Sequence, residues 1–179
     1  AKIDDYFQSN KVDMLVNNSN GPQAGTMDQK NLADYQHAFE LLFQNHCYTT
    51  SRALPYMLAS GYGRIINVSS STVKEPVSNL VLSNTIRTAL ISWSKSLSDD
   101  VAKEGVTVNS ILTGLFDTER IQSLTNMDAQ RLGISYEEAL GLRLKQVPAA
   151  RLGEPEEYGY LVAFICSEYA NYLTGTNIP

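Results

Sequence analysis

Among 179 residues only two are cysteine, two histidine and one tryptophan, and no apolar run approaches the roughly 20 residues a membrane-spanning helix needs. Cys47 and Cys166 lie far apart in helix-like stretches with no Cys or His cluster beside them. They read as two small buried thiols of a reducing cytoplasm, which argues against a disulfide or metal site. His37 and His46 share one predicted helix without the i,i+4 spacing of a metal pair, so no zinc signature is present. Basic residues are scattered singly in a chain of net charge -5, which argues against a nucleic-acid partner. The opening AKIDDYFQSN lacks the basic-then-apolar order of a signal peptide, so the expected location is cytoplasmic, without a membrane partner.

What is present alternates in period. A short amphipathic helix over residues 3–9 precedes VDMLVN, a strand that ends in the polar run Asn17-Asn18-Ser19-Asn20. A long helix follows from Asn31, an N-cap with Asp34 completing a box-like start, and Pro55 falls near its end. GRIINVSS reads as a second, continuous apolar strand. Leu82, Ile86, Leu90, Trp93, Leu97 and Val101 then recur at helical spacing up to the stop at Gly105. VTVNSIL is the third strand, the loop TGLFDTER leads into a more polar region over residues 121–146, and Ser135 with Glu138 forms a capping box within it. A last helix begins at PEEYGYLV, and GTNIP starts a strand as the chain stops. Strand and helix in this alternation imply an α/β fold of three layers around a parallel sheet with right-handed crossovers, organised as one domain over residues 1–179. In open sheets of this kind ligands bind at the carboxyl ends of the strands, where the polar run lies.

These segments resemble, in order and spacing, the short-chain dehydrogenases/reductases, and the chain looks like a divergent member similar to the 3-oxoacyl-acyl-carrier-protein reductases. VDMLVNNSNG resembles that family's strand ending in Asn-Asn-Ala-Gly. GRIINVSS is similar to its serine-bearing strand, TALISWSKSLSDDVAKEGVTVNSILTG to its long active-site helix and next strand, and QVPAARLGEPEEYGYLVAFICSEYANYLTGTNIP to its C-terminal segment. The resemblance implies the second half of a Rossmann fold, NAD or NADP as cofactor, a small-molecule carbonyl or alcohol as substrate, and a homodimer or homotetramer. The family's opening strand, Gly-rich turn and helix have no counterpart here, as expected for a fragment or for a natural half-protein.

The resemblance also assigns roles. Ser70 stands where the family's substrate-holding serine stands. Thirteen residues on (83 − 70 = 13), Ser83 occupies the tyrosine position, and Arg87 occupies that of the lysine four residues later. Leu42 falls at the position of the helix asparagine. Ser70, Ser83 and Arg87 are therefore the candidate catalytic set, an atypical one, because a serine hydroxyl is a far weaker acid than a phenol and ends well short of its reach. Arg87 keeps the positive field and the ribose donors of the lysine. Asn45 and His46, one turn beyond Leu42 on the same helical face, either supply a displaced polar function or are surface or interface residues of that helix. Asn18, Arg87, Phe116 and Thr118 are the candidate cofactor contacts, with Thr113 in place of the family's loop proline. The region over residues 121–146 matches the substrate lid. Its Met127, Leu132, Ile134, Leu140 and Leu142 either line an apolar pocket or pack the helices together.

The alternative to an enzyme is a homologue that uses the fold for ligand binding or assembly without turnover.

Overall fold

The computed structural model describes residues 2–179 and divides them into two compact units, one reaching to Thr113 and including Phe164–Pro179, the other Gly114–Ala163. The first unit holds a four-stranded parallel sheet in the order β1 (Met14–Asn17), β2 (Gly63–Val68), β3 (Val106–Ile111) and β4 (Asn177–Ile178). Every residue of β3 is buried, and β2 is buried up to its last residue. That is the pattern of parallel strands covered on both faces, and it explains why both sequences are nearly continuous apolar runs.

The helices of this unit are α1 (Lys2–Ser9), α2 (Leu32–Phe39), α3 (Asn45–Ser60) and α4 (Val81–Val101). Asn31 caps α2 as the sequence predicts: its side chain accepts from Ala33 and Asp34 N–H while the Asp34 carboxylate accepts from Asn31 N–H. The single long helix expected after it is in fact α2 and α3 joined by a π-helical turn, Glu40–Gln44. A π-turn opens the i→i+4 ladder by one residue and turns the following side chains about the axis. Leu42 sits in this turn and is fully buried with Ala38, Leu82 and Ile86.

A second cluster joins Ala53 and Met57 of α3, Val101 of α4 and Ile65, Val106 and Val108 of the sheet. Burying each of these larger side chains contributes about 1.5–3 kcal/mol. Gly105, at φ 77, lies against Gly61, and a Cβ on it would meet the Gly61 carbonyl oxygen at 2.1 Å, so no other residue fits this crossing of two chain segments.

At the amino edge of the sheet Arg64 is 1% exposed without a carboxylate partner among the described residues. Its guanidinium stacks on Tyr62 at 4.3 Å and donates to the Gly63 and Gly105 carbonyls and to the Asn171 side-chain oxygen. α3 and α4 both end beside it, and the negative ends of two helix dipoles offset the buried cation.

The second unit contains α5 (Glu119–Leu132), α6 (Tyr136–Leu144) and most of α7 (Pro155–Cys166). Ser135 and Glu138 form the expected capping box. Asp128 of α5 binds Arg143 of α6 at 2.5 Å and Arg131 at 3.1 Å, tying the two helices. Ile121, Leu124 and Ala129 of α5 and Ala139 of α6 are buried, whereas Met127, Leu132 and Leu142 are exposed and Ile134 and Leu140 half-buried. The loop before α7 is fixed by a bidentate Arg151–Glu157 pair, and the guanidinium with the Glu154 N–H holds the Glu157 carboxyl down at about 2.

Candidate functional site

The carboxyl edge of the sheet is rich in amides and hydroxyls because polar side chains stand at the strand ends. Asn17 and Asn67 are cross-strand partners at the ends of β1 and β2. The Asn17 amide donates to Asn67 Oδ1 and to Thr50 Oγ1, both at 2.9 Å, and accepts from Thr49 Oγ1 at 2.7 Å. Asn67 in turn donates to Ser94 Oγ at 2.8 Å. This buried chain of side chains locks α3, both strands and α4 into one register, since each buried polar group has its partner only in that arrangement. Asn17 is thus a structural residue, and Asn18 beside it is exposed. Sequence reasoning did not single out this ladder. Its signal was an asparagine inside the apolar run RIINV, where a polar residue needs a buried partner.

Ser70 ends the segment after β2 and caps a short 3-10 turn, Ser71–Val73. Its Oγ accepts from Thr72 N–H at 3.3 Å and Thr72 Oγ1 at 3.1 Å. Both bonds use the oxygen and leave the Ser70 hydroxyl proton for another acceptor. Arg87, 7% exposed, donates through Nη1 to the Val68 carbonyl at 2.5 Å, which fixes the guanidinium at the end of β2, two residues before Ser70. Ser83 is half-buried one turn earlier on the same face of α4. The structure therefore gathers Asn18, Ser70, Ser83 and Arg87 at one sheet edge.

Leu42 has no polar substitute at its own position, because it belongs to the apolar cluster. His46 does not belong to the helix surface: it is 3% exposed, and its Nε2 lies 3.3 Å from Ser19 Oγ. Burial, reinforced by the positive charge of Arg87, lowers its pKa to about 4, so the imidazole is neutral at ordinary pH. Asn45 is exposed. A cleft of about 290 Å³ opens here, lined by Asn17, Asn18, Ser19, Asn45, His46 and Thr49 among others. A larger cleft of about 580 Å³ lies at the opposite, amino edge around Tyr62, Arg64 and Asn171. It holds none of the candidate residues, and its arginine is already compensated.

In the second unit, Phe116 pairs with Gly153 in a parallel bridge. The bridge uses the Leu115 carbonyl and the Asp117 N–H on either side of Phe116, so the N–H and C=O of Phe116 itself point the other way. Its ring packs edge-on to Tyr158 at 5.3 Å and fills the space over Gly153. Thr118 stands at the N-cap position of α5 without a side-chain capping bond, and its Oγ1 donates to the Phe116 carbonyl at 3.4 Å. Among the described residues no cluster of His, Cys, Asp or Glu is arranged to hold a metal, and no helix is long and apolar enough to cross a membrane. Cys47 and Cys166 are free thiols whose pKa burial raises, Cys47 only half-buried.

Comparison with known proteins gives the arrangement a family. Residues 2–179 match the family model described as enoyl-(acyl carrier protein) reductase, adh_short_C2. The chain is similar to the NADPH-dependent reductase BacG of Bacillus subtilis, 32% identical over 171 residues, covering 96% of this chain and 66% of the relative. It is also similar to the 3-oxoacyl-[acyl-carrier-protein] reductase FabG of Haemophilus influenzae, 32% identical over 173 residues, covering 93% and 64% respectively. The crystal structure of YwfH, an NADPH-dependent reductase involved in bacilysin biosynthesis, superposes with a TM-score of 0.90 at 30% identity over 99% of this chain and 67% of that one. An actinorhodin polyketide ketoreductase shares the fold, with a TM-score of 0.92 at 24% identity over 99% of this chain and 70% of that one. The chain spans about two thirds or less of the length of these curated relatives. By fold, by sequence and by the order of its segments, the chain belongs to the short-chain dehydrogenase/reductase family.

Proposed function

We propose that the protein is an NAD(P)-dependent oxidoreductase that interconverts a carbonyl and an alcohol at the carboxyl edge of this sheet, with an atypical catalytic set of Ser70, Ser83 and Arg87. The observation that carries the reading is the placement of the Arg87 guanidinium on the Val68 carbonyl, beside Ser70 and one turn from Ser83. The similarity to reductases, one of them named as NADPH-dependent, supports the same reading.

Within each unit the residues present suit a part of a nicotinamide nucleotide. In the second unit, taken by itself, Phe116 keeps a backbone N–H that its bridge with Gly153 does not use, a donor of the kind the resemblance expects at a carboxamide contact. Asn18 presents an exposed amide at the end of β1, and Arg87 supplies a fixed positive charge with several donors for ribose hydroxyls. When bound, the nicotinamide supplies or accepts the hydride. Ser70 holds the substrate oxygen through a hydrogen bond from its hydroxyl, which keeps its proton. Ser83 is too weak an acid to protonate that oxygen directly, so it holds a water that carries the proton, and the field of Arg87 stabilises negative charge on the oxygen. Thr118 helps fix the loop that carries Phe116.

The rival is a ligand-binding or assembly subunit without turnover, and one specific observation favours it: Leu42 is sealed in an apolar cluster where the family has a polar group. A screen of carbonyl compounds with the intact protein and NADH or NADPH, read at the nicotinamide absorbance, separates the two. Cofactor consumption with at least one carbonyl class is expected. Saturable cofactor binding without consumption across the panel selects the subunit instead.

A further inference from the structure

His46 presents a problem of hydrogen bookkeeping. It is buried, its Nδ1 has no hydrogen-bond partner, and Nε2 meets only Ser19 Oγ. If Nδ1 carried the proton, a buried N–H would be left without an acceptor, and such orphaned donors are rarer in native proteins than under-used acceptors. If Nε2 carries it, Nε2–H donates to Ser19 Oγ and Nδ1 is left as an unused lone pair. The charged group acting on the ring from α4 is Arg87, which opposes a second proton. On α3 itself Tyr48 lines the same cleft, but its hydroxyl is held by Asp4. The end of β1 contributes only the amides of Asn17 and Asn18 and the hydroxyl of Ser19.

Resting on the function proposed above, we infer that neutral His46 is a positioning residue: its Nε2–H donates to Ser19 Oγ, so that the Ser19 hydroxyl proton turns outward and is donated to an oxygen of the nucleotide at the end of β1. The cleft that His46 and Ser19 share with Asn18 is where that oxygen sits. Ser19 is then a ligand contact and His46 acts only through it.

Two measurements test this. Nitrogen-15 spectra of the imidazole should show His46 protonated at Nε2 and bare at Nδ1 between pH 8 and 5; an Nδ1–H tautomer overturns the inference without reference to any ligand. Titration of the intact protein with NADPH and NADH should show about tenfold weaker binding for Ser19→Ala, the size of one hydrogen bond. His46→Leu should lose as much, the pair together no more than either alone, and His46→Gln, whose amide reproduces the Nε2 donor, should recover most of the affinity. Should His46→Leu fail to fold, Ser19→Ala decides alone. Wild-type binding that Ser19→Ala leaves unchanged overturns this inference only, whereas a wild type that binds neither nucleotide overturns the proposed function with it.

Discussion

Asn17 and Asn18 are neighbours with opposite duties, one locked into three hydrogen bonds and the other free at the surface. Asn17→Leu should therefore destabilise the fold by about 2–4 kcal/mol in urea unfolding, because it strands Asn67 and Thr50 in a buried setting, while Asn18→Ala should leave stability unchanged. His46 titrates near 4 when folded and near 6.5 when exposed, so between those values the unfolded chain binds more protons. Stability from this residue is complete above about pH 6.5, falls as pH drops, and is lost by about pH 4, a total of about 3 kcal/mol that His46→Gln should remove from the pH profile. Ser83→Tyr with Arg87→Lys should raise carbonyl reduction about tenfold or more if the site is arranged as proposed, since a phenol beside a lysine is an effective general acid. A folded, cofactor-binding double variant with no gain would count against the placement of the site. Ser70, Ser83 and Arg87 are candidates reached by counting along the chain. The burial of His46 is left open by the sequence, because spacing places it on the face of Leu42 but does not say how far that face is covered.

At the level of elements, capping was read directly from the chain: Asn31 with Asp34 and Ser135 with Glu138 make the local bonds their spacing implies. Ser135→Ala should lower stability by about 1 kcal/mol in thermal or urea unfolding. Ala150 carries a φ of 53°, a left-handed conformation that costs an alanine about 1–2 kcal/mol, so Ala150→Gly should be neutral or stabilising despite the greater freedom of glycine when unfolded. Neither this residue nor the π-turn has a local sequence signature, since both are set by what surrounds them. The apolar residues of the lid-like region show the same limit. Met127, Leu132 and Leu142 are apolar, yet the buried positions are Ile121, Leu124, Ala129 and Ala139, because an apolar side chain on a helix is buried only where a neighbouring element packs on it.

For the molecule as a whole, the parallel sheet follows from the alternation of strand and helix, and the family from the order of the segments. Chemistry was less legible than architecture. Architecture depends on many apolar positions that tolerate exchange, whereas catalysis depends on a few side chains, and Ser83 and Arg87 stand at the positions where the resemblance expects tyrosine and lysine. The central claim is that the sheet's carboxyl edge, anchored by Arg87, binds a nicotinamide nucleotide. Titrating the intact protein and its Arg87→Met variant with NADPH and NADH tests it most directly. Saturable binding by the wild type, weakened about tenfold or more in a folded Arg87→Met, is the expected result. Absence of saturable binding, or binding that Arg87→Met leaves intact, would contradict it.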